Sequence, residues 1–477
     1  MYGSPPVAPS SPPSRWWLLL PFALTVLVHA PALVGAEFVT DDWSLLANHL
    51  RPGDLVGEWA RSTHGHAADR DGYVWRPLVA TLHQVVGEAF GRTPAPFRLL
   101  NLTLHLVVVG GALALVRRDG ASRRDAALLL AIWASWPPLV DAVAWSCDTY
   151  DLAAAAFGLA ALRAAELDKF RFVLVFAATL AACLSKEPAV GLALAVPLYV
   201  GVRRGAPAAV VPGAAAVLAA LAHGALHRRV VGASPAWPGA SAAWTWADMS
   251  GWPVFLGVDE GFLHVGVPDG PTWSAALGAL LLVAGVATAP TRAAAVVWAA
   301  MLVPAAAGAA AIGQEAWRYA YLPSALAVAC LGGVRSPRAW VVPVAAAVLC
   351  AAWAPRAASR AIAWRSELRL AEQELAFAPD NALAAKVVGR LRVASGDRGG
   401  FALWEDAIAR APSNTFLFDV QRERLDLAVA AARAGEAERA RRALDAFVTA
   451  ERAVGRALEP SVLAFDARLR AASAASP

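Results

Sequence analysis

The sequence predicts an all-α, polytopic membrane protein of about eleven transmembrane helices, followed by a helical C-terminal domain. Of its 477 residues, 58% are hydrophobic and only 17% are charged, whereas a soluble globular chain carries about a quarter charged residues. The apolar residues form long runs that alternate with short arginine clusters, and a transmembrane helix needs roughly 20 mostly apolar residues. After Trp353 these runs stop, and a segment rich in Ala, Arg, Glu and Leu with helical periodicity begins.

The chain begins with a Pro- and Ser-rich segment, residues 1–15, which is predicted to be disordered. The first apolar run, 16–36, ends in Val34-Gly35-Ala36, which is similar to a signal-peptide cleavage site. Because the run is long, we interpret it as an uncleaved first helix. Cleavage would leave Glu37 on the same side of the membrane.

Positive charge orients the predicted spans. These cover residues 16–36, 97–116, 126–140, 152–162, 172–184, 190–202, 208–223, 273–289, 293–312, 319–334 and 340–353. With the N-terminus in the cytoplasm, every cytoplasmic loop is basic, as the positive-inside rule requires. The basic residues of these loops are Arg117, Arg118, Arg123, Arg124, Arg163, Lys169, Arg171, Arg203, Arg204, Arg292, Arg335 and Arg338. Arg228 and Arg229, just after the seventh span, are the exception.

This orientation divides the chain into three parts: the N-terminus, a transmembrane domain at 16–355 and an extracytoplasmic domain at 356–477. The transmembrane domain has long outer loops at 37–96 and 224–271. The second loop is rich in tryptophan, which is typical of an interfacial aromatic belt; an aromatic acceptor groove is the alternative.

The C-terminal domain contains a weak internal repeat. Pro-Asp-Asn at 379–381 recurs as Pro-Ser-Asn at 412–414, a spacing of 33 residues, with Gly389, Gly396 and Ala407 between them. A period near 34 with small residues at such positions is typical of tetratricopeptide repeats. These repeats form a concave surface that binds a peptide or protein. An unrelated helical bundle is the alternative.

Charge and cysteine content exclude other classes. The net charge of +5 reflects the basic loops, and no nucleic-acid-binding motif is present. Cys183, Cys330 and Cys350 lie in apolar runs and only Cys147 is near a loop, so the sequence predicts neither a disulfide framework nor a cysteine metal cluster.

Two adjacent carboxylates, Asp41 and Asp42, follow the first span within a few residues. Adjacent acids beside hydrocarbon raise one another's pKa. One is suited to act as a general base on an acceptor hydroxyl, while the other orients it or helps to hold a divalent cation. The alternative is an N-cap for a short helix at 43–50, and Asp42 can serve both purposes.

Polar groups also precede and enter the second span. Arg76 is suited to pair with a phosphate or with the acidic pair; the alternative is an arginine that snorkels beside an interfacial helix. Asn101 and His105 lie four residues apart on one helical face. His105 either helps to position a substrate phosphate or bonds to neighbouring helices.

Further charges mark two more outer segments. Asp141, Asp148 and Asp151 lead into the fourth span, where capping and solvation of a helix are favoured over a role in a site. Lys186 lies at an outer turn, against the positive-inside trend, and is predicted to answer a local anion. Simple pairing with Glu187 or another nearby acid is the alternative.

Arg318 is the only basic residue where the tenth span begins, in the segment 314–324 that also contains Tyr321. An arginine at the outer interface can hold a lipid phosphate with two hydrogen bonds; a structural pair with Glu315 is the alternative. The predicted topology brings all these outer side chains to one interface, which a site for an amphiphilic phospho-sugar requires.

Six segments occur in an order that resembles the GT-C membrane glycosyltransferases. They are FVTDDW at 38–43, YVWRPL at 73–78, NLTLH at 101–105, AWSCDTYDLAA at 144–154, LSKEPA at 184–189 and WRYAYLPS at 317–324. The sequence is most similar to the transmembrane, tetratricopeptide-repeat-containing O-mannosyltransferase-like group and its bacterial relatives. The resemblance covers about residues 16–355, and the helical tail fits the architecture of the group.

The resemblance implies transfer of a sugar from a polyprenyl-phosphate donor on the extracytoplasmic face. It implies that Asp41 and Asp42 provide the catalytic base, and that Arg318, with Lys186 or His105, holds the donor phosphate. With the residues that the topology places at the same interface, the predicted substrate-binding residues are Arg76, His105, Asp148, Lys186, Arg318 and Tyr321. No cofactor is implied besides the lipid-linked sugar donor, and a divalent cation is compatible with the acidic pair.

The predicted partners are the lipid bilayer, the polyprenyl-phosphate sugar and a protein or glycan acceptor that the C-terminal domain is suited to bind. High Ala and Arg content points to a GC-rich bacterial gene, and therefore to the bacterial plasma (inner) membrane. The main alternative function is a non-catalytic scaffold that recruits partners through its helical tail. A flippase is disfavoured because the sequence shows neither mid-membrane charges nor inverted repeats.

Overall fold

The computed structural model describes residues 15–39, 42, 56–60, 74–232, 240–255, 264–265, 272–312, 314–315, 317–333, 340–411 and 419–474. Within these ranges the chain is almost entirely helical. It divides into two units, the second of which contains residues 366–477 and two short stretches near 263 and 313. The proline-rich start of the chain, 1–14, lies outside the described residues.

The first unit consists of fifteen described helices. They are α1 (Leu20–His29), α2 (Gly57–Ala60), α3 (Pro77–Phe90), α4 (Pro94–Arg118), α5 (Arg123–Ala134), α6 (Leu139–Ala144), α7 (Thr149–Ala164), α8 (Arg171–Ser185), α9 (Leu192–Arg204), α10 (Ala206–Val231), α11 (Ala240–Phe255), α12 (Trp273–Ala287), α13 (Arg292–Ile312), α14 (Tyr321–Ala329) and α15 (Val341–Ala363). Short 3-10 helices adjoin them at Arg15–Leu19, Ala30–Leu33, Glu187–Gly191, Trp317–Ala320 and Leu331–Gly333. His264–Val265 and Gln314–Glu315 form a pair of two-residue strands.

Five helical segments in the described ranges are long and apolar enough to cross a membrane. They are Arg15–Leu33, Pro94–Arg118, Ala206–Val231, Arg292–Ala311 and Val341–Ala363. Each coincides with a predicted span. The other six predicted spans coincide with shorter helices, so the count of eleven stays a prediction.

The predicted span at 126–140 is divided in the structure. α5 ends at Ala134, and α6 begins only at Leu139, after Trp136 and two prolines. Proline lacks the backbone N–H that a helix interior requires, so the pair at 137–138 ends the helix. Apolar composition alone did not reveal this boundary.

Helix ends converge at two separate places in the first unit, three helices at each. At one end, Glu166 after α7 forms ion pairs with Arg118 of α4 and Arg203 of α9, and Arg203 also pairs with Asp119. These residues belong to loops that the arginine pattern assigns to the cytoplasm. The opposite ends of α4 and α7 meet near the end of α8, where the candidate site lies.

Between these ends lies one apolar core built from α4, α5, α7, α9, α13 and α14. Several tryptophans of the first unit take part in this packing through their ring nitrogens. Trp246 of α11 donates from Nε1 to the carbonyl oxygen of Ala299 in α13 at 3.0 Å. Trp246, from the tryptophan-rich loop 224–271, therefore bonds to another helix. Trp237, from the same loop, lies outside the described residues.

The second unit is a series of short helices, each of which packs on the next in sequence. They are α16 (Glu367–Phe377), α17 (Ala382–Ala394), α18 (Gly400–Arg410), α19 (Val420–Arg433), α20 (Ala437–Ala453) and α21 (Pro460–Ala474). Asn381 caps α17, because its side chain accepts a hydrogen bond from the Ala384 N–H at 3.1 Å. The helical tail is confirmed; the repeat at 412–414 lies outside the described residues, so the tetratricopeptide assignment stays a prediction.

Two glycines bring α17 and α18 together. A Cβ atom on Gly389 would lie 2.8 Å from the carbonyl oxygen of Gly400, and one on Gly400 would lie 2.5 Å from that of Gly389. The absence of side chains therefore permits backbone contact between the two helices. Phe401 and Trp404, on the following turn, are buried in the core of this unit.

Candidate functional site

The turn between α6 and α7 forms the centre of the candidate site. Every residue from 141 to 151 is buried, although the segment contains three carboxylates. A buried carboxylate is costly unless a cation or hydrogen-bond donors compensate for it. The contacts of this segment, 141–151, therefore show which parts of the first unit assemble around it.

Asp42 joins the segment after the first helix to this turn. Its Oδ1 accepts a hydrogen bond of 2.8 Å from the Cys147 backbone N–H, and its Oδ2 accepts one of 3.1 Å from the Val39 N–H. Burial raises the pKa of Asp42 to about 6, although these donors and the charge of Arg98 act against the shift. Asp41 and the predicted helix at 43–50 lie outside the described residues.

Arg98, which no sequence pattern singled out, is a cation whose charge acts on Asp42. Its guanidinium donates to Ser146 Oγ at 3.1 Å and to the carbonyl oxygens of Ala32 and Glu37 at 2.7 and 2.9 Å. It thereby connects the end of the first helix, the following segment and the central turn. The sequence feature that could have indicated this role is a charged residue at the start of the second predicted span, three residues before polar Asn101.

A chain of neutral hydrogen bonds continues from the turn to α3. Asn101 donates from Nδ2 to the carbonyl oxygen of Trp145 at 2.7 Å and accepts from the Thr149 hydroxyl at 2.6 Å. Thr149 Oγ1 in turn lies 2.8 Å from Nε2 of His83. Burial lowers the pKa of His83 to about 3, so this imidazole is neutral at pH 7.

Lys186 is a buried cation beside two carboxylates at the start of α7. Its Nζ forms an ion pair with Asp151 and lies 3.9 Å from Oδ1 of Asp148. Burial, reinforced by the charge of Asp151, raises the pKa of Asp148 well above its ordinary value. The structural alternative predicted for Lys186 was a pair with Glu187 or with another nearby acid. The ion pair found is with Asp151.

Arg318 lies against two aromatic rings of the site. Its guanidinium carbon is 4.6 Å from the ring centre of Trp145 and 5.1 Å from that of Tyr319. Its charge acts on Asp148, in the direction that lowers the pKa of that carboxyl. A guanidinium stacked on a ring keeps its in-plane N–H donors directed sideways, where an anion can approach. The side chain of Glu315, its predicted alternative partner, lies outside the described part of the chain.

Asp141 is held from α15. Its Oδ1 accepts hydrogen bonds from Arg360 Nε at 3.0 Å and from Trp364 Nε1 at 2.7 Å. The indole of Trp364 also stacks on that of Trp145, with ring centres 5.7 Å apart and planes at 27°. The expectation that the acids of this segment cap and solvate a helix is wrong for Asp141 and Asp151, which form buried ion pairs.

Arg76 forms an ion pair with Glu187 beside α7. Its Nε donates to Glu187 Oε2 at 2.8 Å, and its guanidinium lies 4.6 Å from the ring centre of Tyr150. Burial alone would raise the pKa of Glu187, but the Arg76 charge and hydrogen bond hold it below its usual value. The predicted pairing of Arg76 with the acidic pair is not seen for Asp42; its guanidinium pairs with Glu187 instead.

His105 and Tyr321 lie deeper, in α4 and α14. Nδ1 of His105 is 2.6 Å from the Tyr321 hydroxyl. The imidazole also contacts the rings of His29 and Trp133, with centres 5.1 and 5.4 Å away. The structural alternative for His105, a bond to a neighbouring helix, is therefore found. Across the described ranges, no three or more His, Cys, Asp or Glu side chains are arranged to hold a metal ion.

The structure thus brings Asp42, Asp148, Lys186 and Arg318 to one turn. Arg76 lies beside this turn, and His105 bonds to Tyr321 where α4 meets α14. Comparison with known proteins adds no assignment: no protein-family model, curated protein or solved structure matches the chain. The chemistry of the site must therefore be argued from its own residues.

Proposed function

We propose that the chain is a multi-pass glycosyltransferase of the GT-C type, which moves a sugar from a polyprenyl-phosphate donor to a protein or glycan acceptor on the extracytoplasmic face. In this proposal the chain crosses the bacterial plasma membrane eleven times, and its helical tail lies on the extracytoplasmic side. The support for this topology is the set of five long apolar helices and the convergence of arginine-bearing helix ends opposite the candidate site.

The observation that carries the proposal is the arrangement around residues 145–148. Asp42 bonds to one side of this turn through Cys147, while Arg318 stacks on Trp145 and Lys186 lies near Asp148. The carboxylate of Asp42 and the two cations therefore all contact residues 145–148. This is the combination that deprotonation of an acceptor and binding of a lipid phosphate require.

Two cations of the turn are the proposed ligands of the phosphate. Lys186 and Arg318 both act on Asp148, whose pKa is raised above its ordinary value by burial and by Asp151. An arginine is suited to hold two oxygens of a phosphate, and a lysine beside it adds a second positive charge.

In the proposed reaction the acceptor hydroxyl oxygen forms a bond to the anomeric carbon of the sugar. The bond from that carbon to the phosphate oxygen breaks, and polyprenyl phosphate leaves with the electron pair. The proton of the hydroxyl passes to a carboxylate of the acidic pair. Both oxygens of Asp42 accept backbone N–H groups, which supports a positioning role for Asp42. We therefore propose Asp41 as the base.

The remaining predicted residues take supporting roles in this proposal. Arg76, paired with Glu187, holds the loop before α3 against α7. His105 and Tyr321 fix α4 against α14 beneath the phosphate-binding cations. In this proposal the helical tail presents the acceptor.

The test uses purified chain in proteoliposomes with a panel of radiolabelled undecaprenyl-phosphate hexoses. Formation of labelled glycan or free undecaprenyl phosphate is measured for the wild type and for Asp41→Asn, Asp42→Asn and Arg318→Gln. Asp168→Asn is the matched control, because this carboxylate is exposed and belongs to a predicted cytoplasmic loop. Loss of turnover in the three variants with folding retained supports the enzyme. Turnover by none of the proteins, with intact binding of partner proteins by the tail, supports the scaffold.

A further inference from the structure

A stack of side chains connects Arg318 to the C-terminal end of α15. The guanidinium of Arg318 lies on Trp145, Trp145 stacks on Trp364, and Trp364 donates a hydrogen bond to Asp141. Arg360, one turn before Trp364, donates to the same carboxylate at 3.0 Å. Each of these side chains except Arg318 is at least 94% buried.

We infer that Trp145, which stacks on the Asp141-bound Trp364, is the positioning residue that orients Arg318 toward the donor phosphate. The proposal deepens the proposed function, on which it rests. Trp145 presents the face of its ring to the cation, and an aromatic face attracts a guanidinium without using its N–H donors in the ring plane. The contact therefore holds the guanidinium carbon of Arg318 4.6 Å from the ring centre of Trp145.

The segment 360–365 also contacts the part of the chain that leads to Asp42. Arg365, directly after Trp364, donates from Nε to the carbonyl oxygen of Val34 and accepts from the Glu37 N–H at 2.9 Å through its own carbonyl. Residues 360–365 thus contact both the turn beneath Arg318 and the segment that leads to Asp42. The C-terminal unit begins at Ser366, immediately after this doubly anchored segment.

The experiment replaces Trp145 with fluorinated tryptophans by suppressor-tRNA translation. Successive fluorine atoms weaken the negative face of the indole while its shape is nearly unchanged, so folding is preserved. Binding of farnesyl phosphate, a short polyprenyl phosphate, to the detergent-solubilised chain is then titrated. We expect the Kd to rise stepwise with fluorination, at least fivefold for the most fluorinated ring. A matched series at Trp404, which carries Arg390 over its ring and bonds to Glu423, should leave the Kd unchanged.

Arg318→Gln and Trp364→Leu accompany the series. If Arg318→Gln weakens binding and fluorination of Trp145 does not, the positioning role is overturned while the proposed donor site stands. If the wild type and Arg318→Gln bind equally or not at all, the donor site itself fails. In that case the ¹⁹F resonance of 5-fluorotryptophan at position 145 decides the structural part, because it must shift in both Arg318→Gln and Trp364→Leu. An unmoved resonance overturns the stack.

Discussion

The Asp42 carboxylate accepts a hydrogen bond of 2.8 Å from the Cys147 backbone N–H, across 105 residues of sequence. This bond fixes the segment after the first helix against the turn that carries Trp145 and Asp148. Arg98 strengthens the junction by bonding to Ser146 of that turn and to Glu37 of that segment. The Asp42 carboxylate is therefore one of the contacts that set the relative placement of the proposed base and the proposed phosphate-binding cations.

The first prediction concerns the pH dependence of stability. Burial raises the pKa of Asp42 from an ordinary value of 3.8 to about 6, so the folded protein binds this proton more tightly than the unfolded chain. The stabilisation is present below about pH 4 and is lost as the pH rises through 6, which amounts to roughly 3 kcal/mol. In Asp42→Asn this part of the pH dependence should be absent.

Unfolding in detergent at steps between pH 4 and 7 checks this prediction. Asp168→Asn, at an exposed carboxylate, is the control and should follow the wild type. Equal pH profiles for wild type and Asp42→Asn would show that Asp42 is not held in a raised-pKa environment.

The second prediction concerns the buried ion pair between Lys186 and Asp151. Lys186→Met leaves Asp151 without its ion-pair partner in an apolar setting and should lower the free energy of unfolding by roughly 3–5 kcal/mol. Asp151→Asn in the same chain removes the unpaired charge, so the double variant should recover about 2 kcal/mol relative to the sum of the single losses. Chemical denaturation of the four proteins gives this coupling, and strictly additive losses would contradict the pair.

The third prediction has the opposite sign from the first. Arg76 holds the pKa of Glu187 below its usual value despite burial, so this pair stabilises the folded protein at neutral pH. The stabilisation should be lost as the pH falls below about 4 and through the lowered pKa of the folded state. Arg76→Met should abolish this acid sensitivity; the measurement is acid unfolding of the variant beside Arg92→Met, an exposed arginine. Identical acid midpoints would refute the pairing.

The fourth prediction concerns the helical tail. Gly389→Ala places a methyl group 2.8 Å from the Gly400 carbonyl oxygen and from the Trp404 backbone nitrogen. Because both obstacles are backbone atoms, α17 and α18 must separate, and the unit should lose roughly 2–3 kcal/mol. Gly224→Ala in α10, where a methyl group meets nothing within 4 Å, should be neutral or slightly stabilising. Hydrogen exchange measured along α17 reports the difference, and unchanged protection in Gly389→Ala would argue against the close contact.

Local pattern predicted the helices well, and it singled out most of the charges that meet at the turn. It could not identify their partners. Lys186 has extended backbone, and a 3-10 helix begins at Glu187, so neighbours in sequence diverge in space. Asp141 was expected to be solvated because its partner Arg360 lies 219 residues away, and such a contact leaves no trace in local periodicity.

The fifth prediction concerns sidedness. Single cysteines at Asp168, in a predicted cytoplasmic loop, and at Ser395, in the exposed turn after α17, should differ in their access to a membrane-impermeant thiol reagent. Ser395→Cys should be labelled in spheroplasts, whereas Asp168→Cys should be labelled only after permeabilisation. The wild type provides the blank, since Cys147, Cys183 and Cys330 are buried and Cys350 is partly so. Labelling of both positions in intact spheroplasts would contradict the proposed topology.

The central claim is that a lipid phosphate binds at the turn 145–148, beside the acidic pair. An experimental structure of the chain with bound undecaprenyl phosphate tests it most directly. We expect phosphate oxygens within hydrogen-bonding distance of Arg318 or Lys186, on the same membrane side as Asp42. A phosphate bound elsewhere, or Arg318 and Asp42 on opposite membrane surfaces, would contradict it.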